Sequence, residues 1–290
     1  MSEPQLEYRD YASLHLDLAW IYNGMVPRLF QNTSFQPDFM GAWLVLNGEV
    51  ELTQRGKTVV AYPDEWLIMK KVTGTQRFSE GTRIRSIRFQ AEWPDGQPFF
   101  HAGLSAKAAA EDFPELGKTS SELLKYVQSA GLDANYELRV QPIQFEHFIN
   151  IRSLFHKWFF KLYECLKGLG VQHSRSAISD NIVLNALHHL SRISLSSSPT
   201  MRDLAEQAGV SMSQFNLKFR SEVGVTPKRY FINRKLSACR RLLAFSDLPI
   251  KEVAYDLGFT RLSDFSAWFR SSEGIPPREY RTQSRGTGSL

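Results

Sequence analysis

One helical unit is written twice in the C-terminal third of this 290-residue chain. Ala205, Gly209, Val210 and Ser211 recur 49 positions later as Ala254, Gly258, Phe259 and Thr260. Ser213, Phe215, Phe219, Arg220, Gly224, Pro227 and Tyr230 then recur 50 positions later as Ser263, Phe265, Phe269, Arg270, Gly274, Pro277 and Tyr280. The one-residue slip falls in the short segment after the repeated Gly, between Ser211 and Ser213, where a turn can absorb it. A solenoid needs about three or more stacked units to bury a continuous core, so two copies confine the segment to a small helical architecture.

Each copy reads as helix, tight turn, helix. Leu204, Ala205 and Ala208 have the apolar spacing of a short helix, Gly209 ends it by accepting a positive φ, and Ser211 caps the next. Ser211 followed by Gln214 is a capping-box pattern. In the second helix Phe215, Phe219 and Val223 share one face, while Ser213, Asn216, Leu217 and Arg220 fall on another. The second copy repeats the scheme, with Phe265, Trp268 and Phe269 inward and Leu262, Ser263, Ser266, Ala267 and Arg270 turned away. A Gly-containing turn between two helices, the second with a free polar face, is the helix-turn-helix plan, whose second helix enters the DNA major groove.

Charge is placed to match. From Pro199 to Leu290 there are 15 Lys and Arg against 9 Asp and Glu, a balance of +6, whereas residues 1–198 carry 20 against 21, or −1. All the net positive charge therefore sits on the duplicated part, as expected of a module that neutralises phosphates and releases their counterions. Lys228, Arg229, Arg234, Lys235, Arg240 and Arg241 fall on the segment joining the two copies. Pro227 suits the first turn of a helix, and Lys228 to about Phe245 gives on the order of 27 Å of helix. That approaches the length of one DNA turn, about 34 Å.

The run "LAEQAGVSMSQFNLKFRSEVGVTPKRYFINRKLSACRRLLAFSDLPIKEVAYDLGFTRLSDFSAWFRSSEGIPPREYR" resembles the DNA-binding domain of AraC/XylS-type transcription regulators. The likeness spans roughly Thr200 to Arg281 and rests on Leu248 to Phe259, Phe265 to Phe269 and Gly274 to Arg281, which follow the family's order of motifs. It implies two helix-turn-helix units bridged by one long helix. It also implies base contacts from Ser213, Asn216 and Leu217 in the first recognition helix and from Arg261, Leu262, Ser263, Asp264 and Ala267 in the second. Asn216 is suited to a bidentate pair with adenine and Arg261 to guanine, while Arg220 and Arg270, one turn further on, are assigned to phosphates. Leu217 and Ala267 stand where the family frequently has Arg, which leaves thymine methyls as their available contact. Because Asn216 differs from Arg261 and Asp264, the two copies are expected to read different half-sequences.

The rest of the chain should govern when DNA is bound. A 42% hydrophobic and 22% charged composition is ordinary for a globular protein. No apolar run reaches the eighteen or so residues of a membrane helix and no signal peptide is evident. With only Cys165 and Cys239, a cytoplasmic setting without disulfides is expected. Residues 10–100 are rich in strand signals. Asn47 and Gly48 lie between two β-rich runs as a type I′ hairpin cue, a further turn is expected at Arg55 to Lys57, and strands are expected at Glu65 to Met69 and Arg83 to Ala91. Their order resembles the cupin-like sensor half of the same regulators.

A cupin invites an enzyme reading, but His15, His101, His147, His156, His173, His188 and His189 form no His-x-His pair among the strands. No catalytic residues, metal or other cofactor are therefore expected. The resemblance implies instead a small-molecule effector, often a sugar or an aromatic compound. Trp20, Trp43, Trp66 and Trp93 are readable either as rings that stack on it or as core.

The fold class expected is α+β in two domains, a cupin-like β-barrel with flanking helices followed by an all-α double helix-turn-helix. The boundaries are 1–140 for the sensing barrel, 141–193 for a helical connecting or dimerisation region, 194–200 for a flexible Ser-rich linker and 201–285 for the DNA-binding domain. In the helical region Phe145, Phe148, Phe155, Trp158, Phe159, Leu162 and Leu166 form one apolar stripe and Ile178, Ile182, Leu187, Leu190 and Ile193 another. The partners implied are a double-stranded DNA operator, an effector, a second copy of the chain and RNA polymerase, with no membrane. Two alternatives stay open: a DNA-binding regulator without a ligand, and a cupin-type enzyme fused to a DNA-binding module.

Overall fold

A computed structural model describes residues 6, 8–35, 39–69, 73–100, 105–132, 137–171, 173 and 180–286; His101 and Ile178 lie outside them. The chain divides into two compact units. One is drawn from 15–91 and 100–174, the other from 1–14, 92–99 and 175–289. Among the described residues no helix is long and apolar enough to cross a membrane.

Among the described residues the first unit holds nine strands in two sheets. Strands β1 (His15–Met25), β8 (Arg83–Glu92), β3 (Met40–Asn47), β6 (Glu65–Met69) and β9 (Ala106–Ala109) form one sheet in that order. Strands β2 (Asn32–Phe35), β7 (Gly74–Phe78), β4 (Val50–Gln54) and β5 (Lys57–Ala61) form the other. Alternation along each strand sends Trp43, Val45, Leu67, Met69 and Ile84 of the first sheet into one apolar core with Val50, Leu52, Ala61 and Phe78 of the second. The turn at Arg55–Gly56 forms as expected. Both residues take positive φ, 48° and 72°, and Gln54 pairs with Lys57, the twist that a two-residue hairpin demands.

The turn at Asn47–Gly48 is not a hairpin. Strand β3 pairs with β6 and β8, and β4 pairs with β5 and β7, so this turn carries the chain from one sheet to the other. Gly48 is still required, because at φ 80° a Cβ would lie 2.5 Å from Thr82 Oγ1 and 2.7 Å from Ser79 Oγ.

Helices α2 (Pro114–Ser129) and α3 (Phe145–Gly168) pack on each other and along β1. Phe89 of β8 meets Phe155, Trp158 and Phe159 of α3 with ring centroids 5.3–6.3 Å apart. The Arg85 guanidinium donates to Ser120 Oγ at 2.8 Å and Ser121 Oγ at 2.7 Å of α2. Trp20, Trp43, Trp66 and Trp93 are all buried. Trp43 stands between the sheets with its ring 5.3 Å from Phe78, and the Arg88 guanidinium lies 5.7 Å over the Trp20 ring.

The second unit contains α1 (Tyr8–Ala12), α4 (Asn181–Arg192), α5 (Met201–Gln207), α6 (Met212–Val223), α7 (Pro227–Phe245), α8 (Ile250–Asp256), α9 (Leu262–Glu273) and α10 (Pro277–Gly286). It has two cores, one for each copy of the repeat. Phe215, Phe219, Val223 and Tyr230 centre the first; Phe265, Phe269, Leu257 and Tyr280 centre the second. The Phe219–Tyr230 rings lie 5.9 Å apart at 67° and the Phe269–Tyr280 rings 5.3 Å apart at 80°, so the repeat is kept down to its edge-to-face contacts.

The helical region 141–193 is therefore not a single body. Helix α3 belongs with the sheets, and α4 buries Val183, Leu187 and Leu190 in the first helix-turn-helix core. Nor is 194–200 free of the domain. Leu195 packs against both cores, Arg234 donates to the carbonyls of Leu190 and, at 3.3 Å, Ile193, and the backbone of Ser196 lies against Gly258. Leu195 and the close approach of Ser196 to Gly258 tie the segment to the domain, which its serine-rich composition conceals.

Candidate nucleic-acid interface

The local chemistry of α6 makes it a rigid rod with one free face. Ser211 closes the expected capping box: the Gln214 backbone N–H donates to Ser211 Oγ, and the Ser211 N–H donates to Gln214 Oε1, both at 3.2 Å. Gly224 ends the helix in the left-handed region at φ 84°. With Phe215, Phe219 and Val223 buried, Ser213, Leu217 and Arg220 line up outward at i, i+4 and i+7. Leu217 keeps 71% of its surface exposed, whereas Asn216 is half-buried on the flank.

Helix α9 differs at its start. Arg261, expected on the helix, takes the N-cap position with φ −127° and ψ 133° and makes no side-chain cap. It takes the N-cap position that Ser211 has in α6, one residue past the repeat counterpart Thr260, so the helix forgoes a cap worth about 0.5–2 kcal/mol and sets a cation at the positive end of its dipole. Asp264 in the first turn partly offsets this and accepts from Ser263 Oγ at 3.4 Å. Ser263, Ala267 and Arg270 then repeat the outward line of α6, all exposed, together with Leu262.

The basic residues of α7 are not a free patch. Arg240 pairs with Glu273 of α9 at 2.6 Å; burial works to lower its pKa, but the Glu273 hydrogen bond and charge outweigh it and the value is raised. Arg234 holds the end of α4, and Arg241 donates to Ser237 Oγ at 3.0 Å. Burial lowers the pKa of Lys235. Only Lys228 and Arg229 of the six are exposed. By contrast, Arg220 and Arg270 are exposed and have no carboxylate partner among the described residues. A charge count cannot separate cations that tie helices together from those left outward.

Asp180 and Lys218 escaped the sequence reading altogether. Asp180 caps α4, accepting from Ile182 N at 2.8 Å and Val183 N at 3.3 Å, and its carboxylate pairs with Lys218 on the flank of α6. The Asp180 N–H also donates to Glu222 at 3.2 Å. The visible signal was an Asp just before the apolar stripe of α4, an N-cap pattern. The Lys218 hydrogen bond, with the capped N–H groups, holds the Asp180 pKa below its ordinary 3.8. A lowered folded-state value contributes stability above pH 3.8 that is lost as pH falls through the lower value. Asp180→Asn keeps a good cap but abolishes the titration. Melting followed from pH 6 down to about pH 2 should decline less steeply for Asp180→Asn than for the parent; parallel declines would deny Asp180 this role.

A family model described as a helix-turn-helix domain matches residues 204–283. The probable transcriptional regulator LumQ of Photobacterium leiognathi is 33% identical over 82 residues, 28% of this chain and 33% of that protein. The transcriptional activator NphR of a Rhodococcus species is 36% identical over 90 residues, 31% of this chain and 27% of that protein. The match thus spans about a third or less of the length of these relatives. Among solved structures, ToxT from Vibrio cholerae O395 aligns over 95% of this chain and 99% of its own, at 14% identity and a TM-score of 0.44.

Proposed function

We propose that this chain, whose residues 204–283 form a helix-turn-helix domain of the AraC/XylS type, is a sequence-specific DNA-binding transcription regulator controlled by a small molecule held in its sheet-rich unit. The observation that carries the reading is the doubled recognition surface. Two helices of equal length, α6 and α9, keep an outward Ser and Arg at the same spacing and flank a 19-residue helix, about 28 Å long. That length suits two successive major-groove segments about 34 Å apart.

In this reading Ser213, Asn216 and Leu217 contact bases from α6, as do Leu262, Ser263 and Ala267 from α9. Arg220 and Arg270 bind phosphates. Arg261 reaches from the mouth of α9, where uncapped N–H groups and a guanidinium favour an anion as well as a guanine edge. Asp264 serves chiefly to offset Arg261. A homodimer would pair two such readers, and the outward side of α3, with Phe145, Phe148, Ile149 and Phe160 all exposed, is the surface available for it. RNA polymerase is the further partner of this reading.

The test is selection from a randomised duplex library by the full chain. The expected product is one sequence family with two preferred segments about ten base pairs apart, bound on the order of 10³-fold or more tighter than random duplex at the same salt. Retention of all duplexes alike would overturn the reading.

A further inference from the structure

We infer that each recognition helix places an apolar side chain, Leu217 in α6 and Ala267 in α9, against the C5-methyl of a thymine in the major groove. The outward line of each helix has the same order of side-chain types at the same spacing, a Ser, an apolar residue and an Arg: Ser213, Leu217, Arg220 and Ser263, Ala267, Arg270. The middle member is apolar in both copies and exposed in both, and Leu217 is 71% exposed. Leu217 belongs to no core cluster of its unit, so folding does not account for a large apolar group there.

The occupant follows from chemistry. Guanine, adenine and cytosine present donors and acceptors in the major groove, which an apolar centre leaves unsatisfied; the apolar feature of that groove is the thymine methyl. The flanking Ser reaches either kind of polar edge, and the exposed Arg220 and Arg270 complement the phosphates beside it. Since α6 and α9 pack with opposite halves of α7, a helix about 28 Å long, the two thymines should fall in successive major-groove segments. Ala267 has less reach than Leu217, so α9 must sit closer to its base for the same contact. The inference rests on the DNA-binding reading above and deepens it.

The experiment uses the full chain and the duplex obtained by selection. Each thymine is replaced singly by deoxyuridine, which retains the hydrogen-bonding edge and lacks the methyl. One position in each segment should lose affinity about fourfold, the equivalent of one methyl group's burial, about 0.8 kcal/mol. In Leu217→Ala the loss at the first position should shrink and that at the second remain; Leu217 is exposed, so the change spares the core. Unchanged affinity at every uracil, or a first-segment loss undiminished in Leu217→Ala, overturns the inference while sequence-specific binding stands. Absence of any preferred sequence overturns the DNA-binding reading and the inference with it.

Discussion

Gly258→Ala is expected to destabilise the helix-turn-helix unit by about 3–5 kcal/mol, against roughly 1–2 kcal/mol for Gly209→Ala. The two glycines are equivalents in the repeat. Both take positive φ, 67° at Gly209 and 81° at Gly258, so both alanines carry the left-handed penalty of about 1–2 kcal/mol. They differ in what surrounds them. A Cβ at Gly209 meets nothing within 4 Å, whereas at Gly258 it would lie 2.3 Å from the carbonyl oxygen of Ser196 and 2.8 Å from its Cα. Backbone atoms cannot rotate away as a side chain can, so the segment before α5 must shift. That shift withdraws Leu195 from two cores at once, and a buried Leu is worth about 1.5–3 kcal/mol. Chemical denaturation of the two variants beside the parent is the measurement. Equal losses at the two sites would mean that residues 194–200 do not brace the domain.

The same segment marks the limit of what could be read from residues alone. Signals that act within a few positions were legible. The repeat, the Ser211–Gln214 box, Pro227 at the first turn of α7 and the Arg55–Gly56 hairpin all formed as the spacing predicts. Choices made across the chain were not. Asn47–Gly48 has the local chemistry of a hairpin, but which strands flank it was settled by pairings with β6, β7 and β8, far along the sequence. Helix α4 joins the helix-turn-helix unit because Val183, Ala186, Leu187 and Leu190 complete a core whose remaining buried members lie beyond residue 200. At the candidate interface the outward residues of α6 and α9 followed from helical period. The state of each cation did not, since Arg240 and Glu273 are 33 positions apart and Arg234 and Leu190 are 44.

That difference between tied and outward cations leads to the second large effect. Replacing Arg220 and Arg270 together by Ala should weaken binding to selected and random duplex alike by about 10–100-fold at 0.1 M salt. Each phosphate contact releases nearly one counterion, so each adds about 0.9 to the slope of log K against log salt and, at 0.1 M, about 0.9 log units of affinity. Two contacts therefore give roughly 60-fold and a slope shallower by about 2. Stability should change little, because both side chains are exposed and outward. Arg240 provides the contrast: it is paired with Glu273 at 2.6 Å with a third of its side chain still exposed, so Arg240→Ala should unfold the second copy more readily, at a cost on the order of 1–2 kcal/mol once solvent screening is allowed for. Anisotropy titrations at four salt concentrations separate the cases. A parallel line for the double variant, with the slope of the parent, would remove Arg220 and Arg270 from the DNA backbone and shift the electrostatic footprint to Lys228, Arg229 and Arg261.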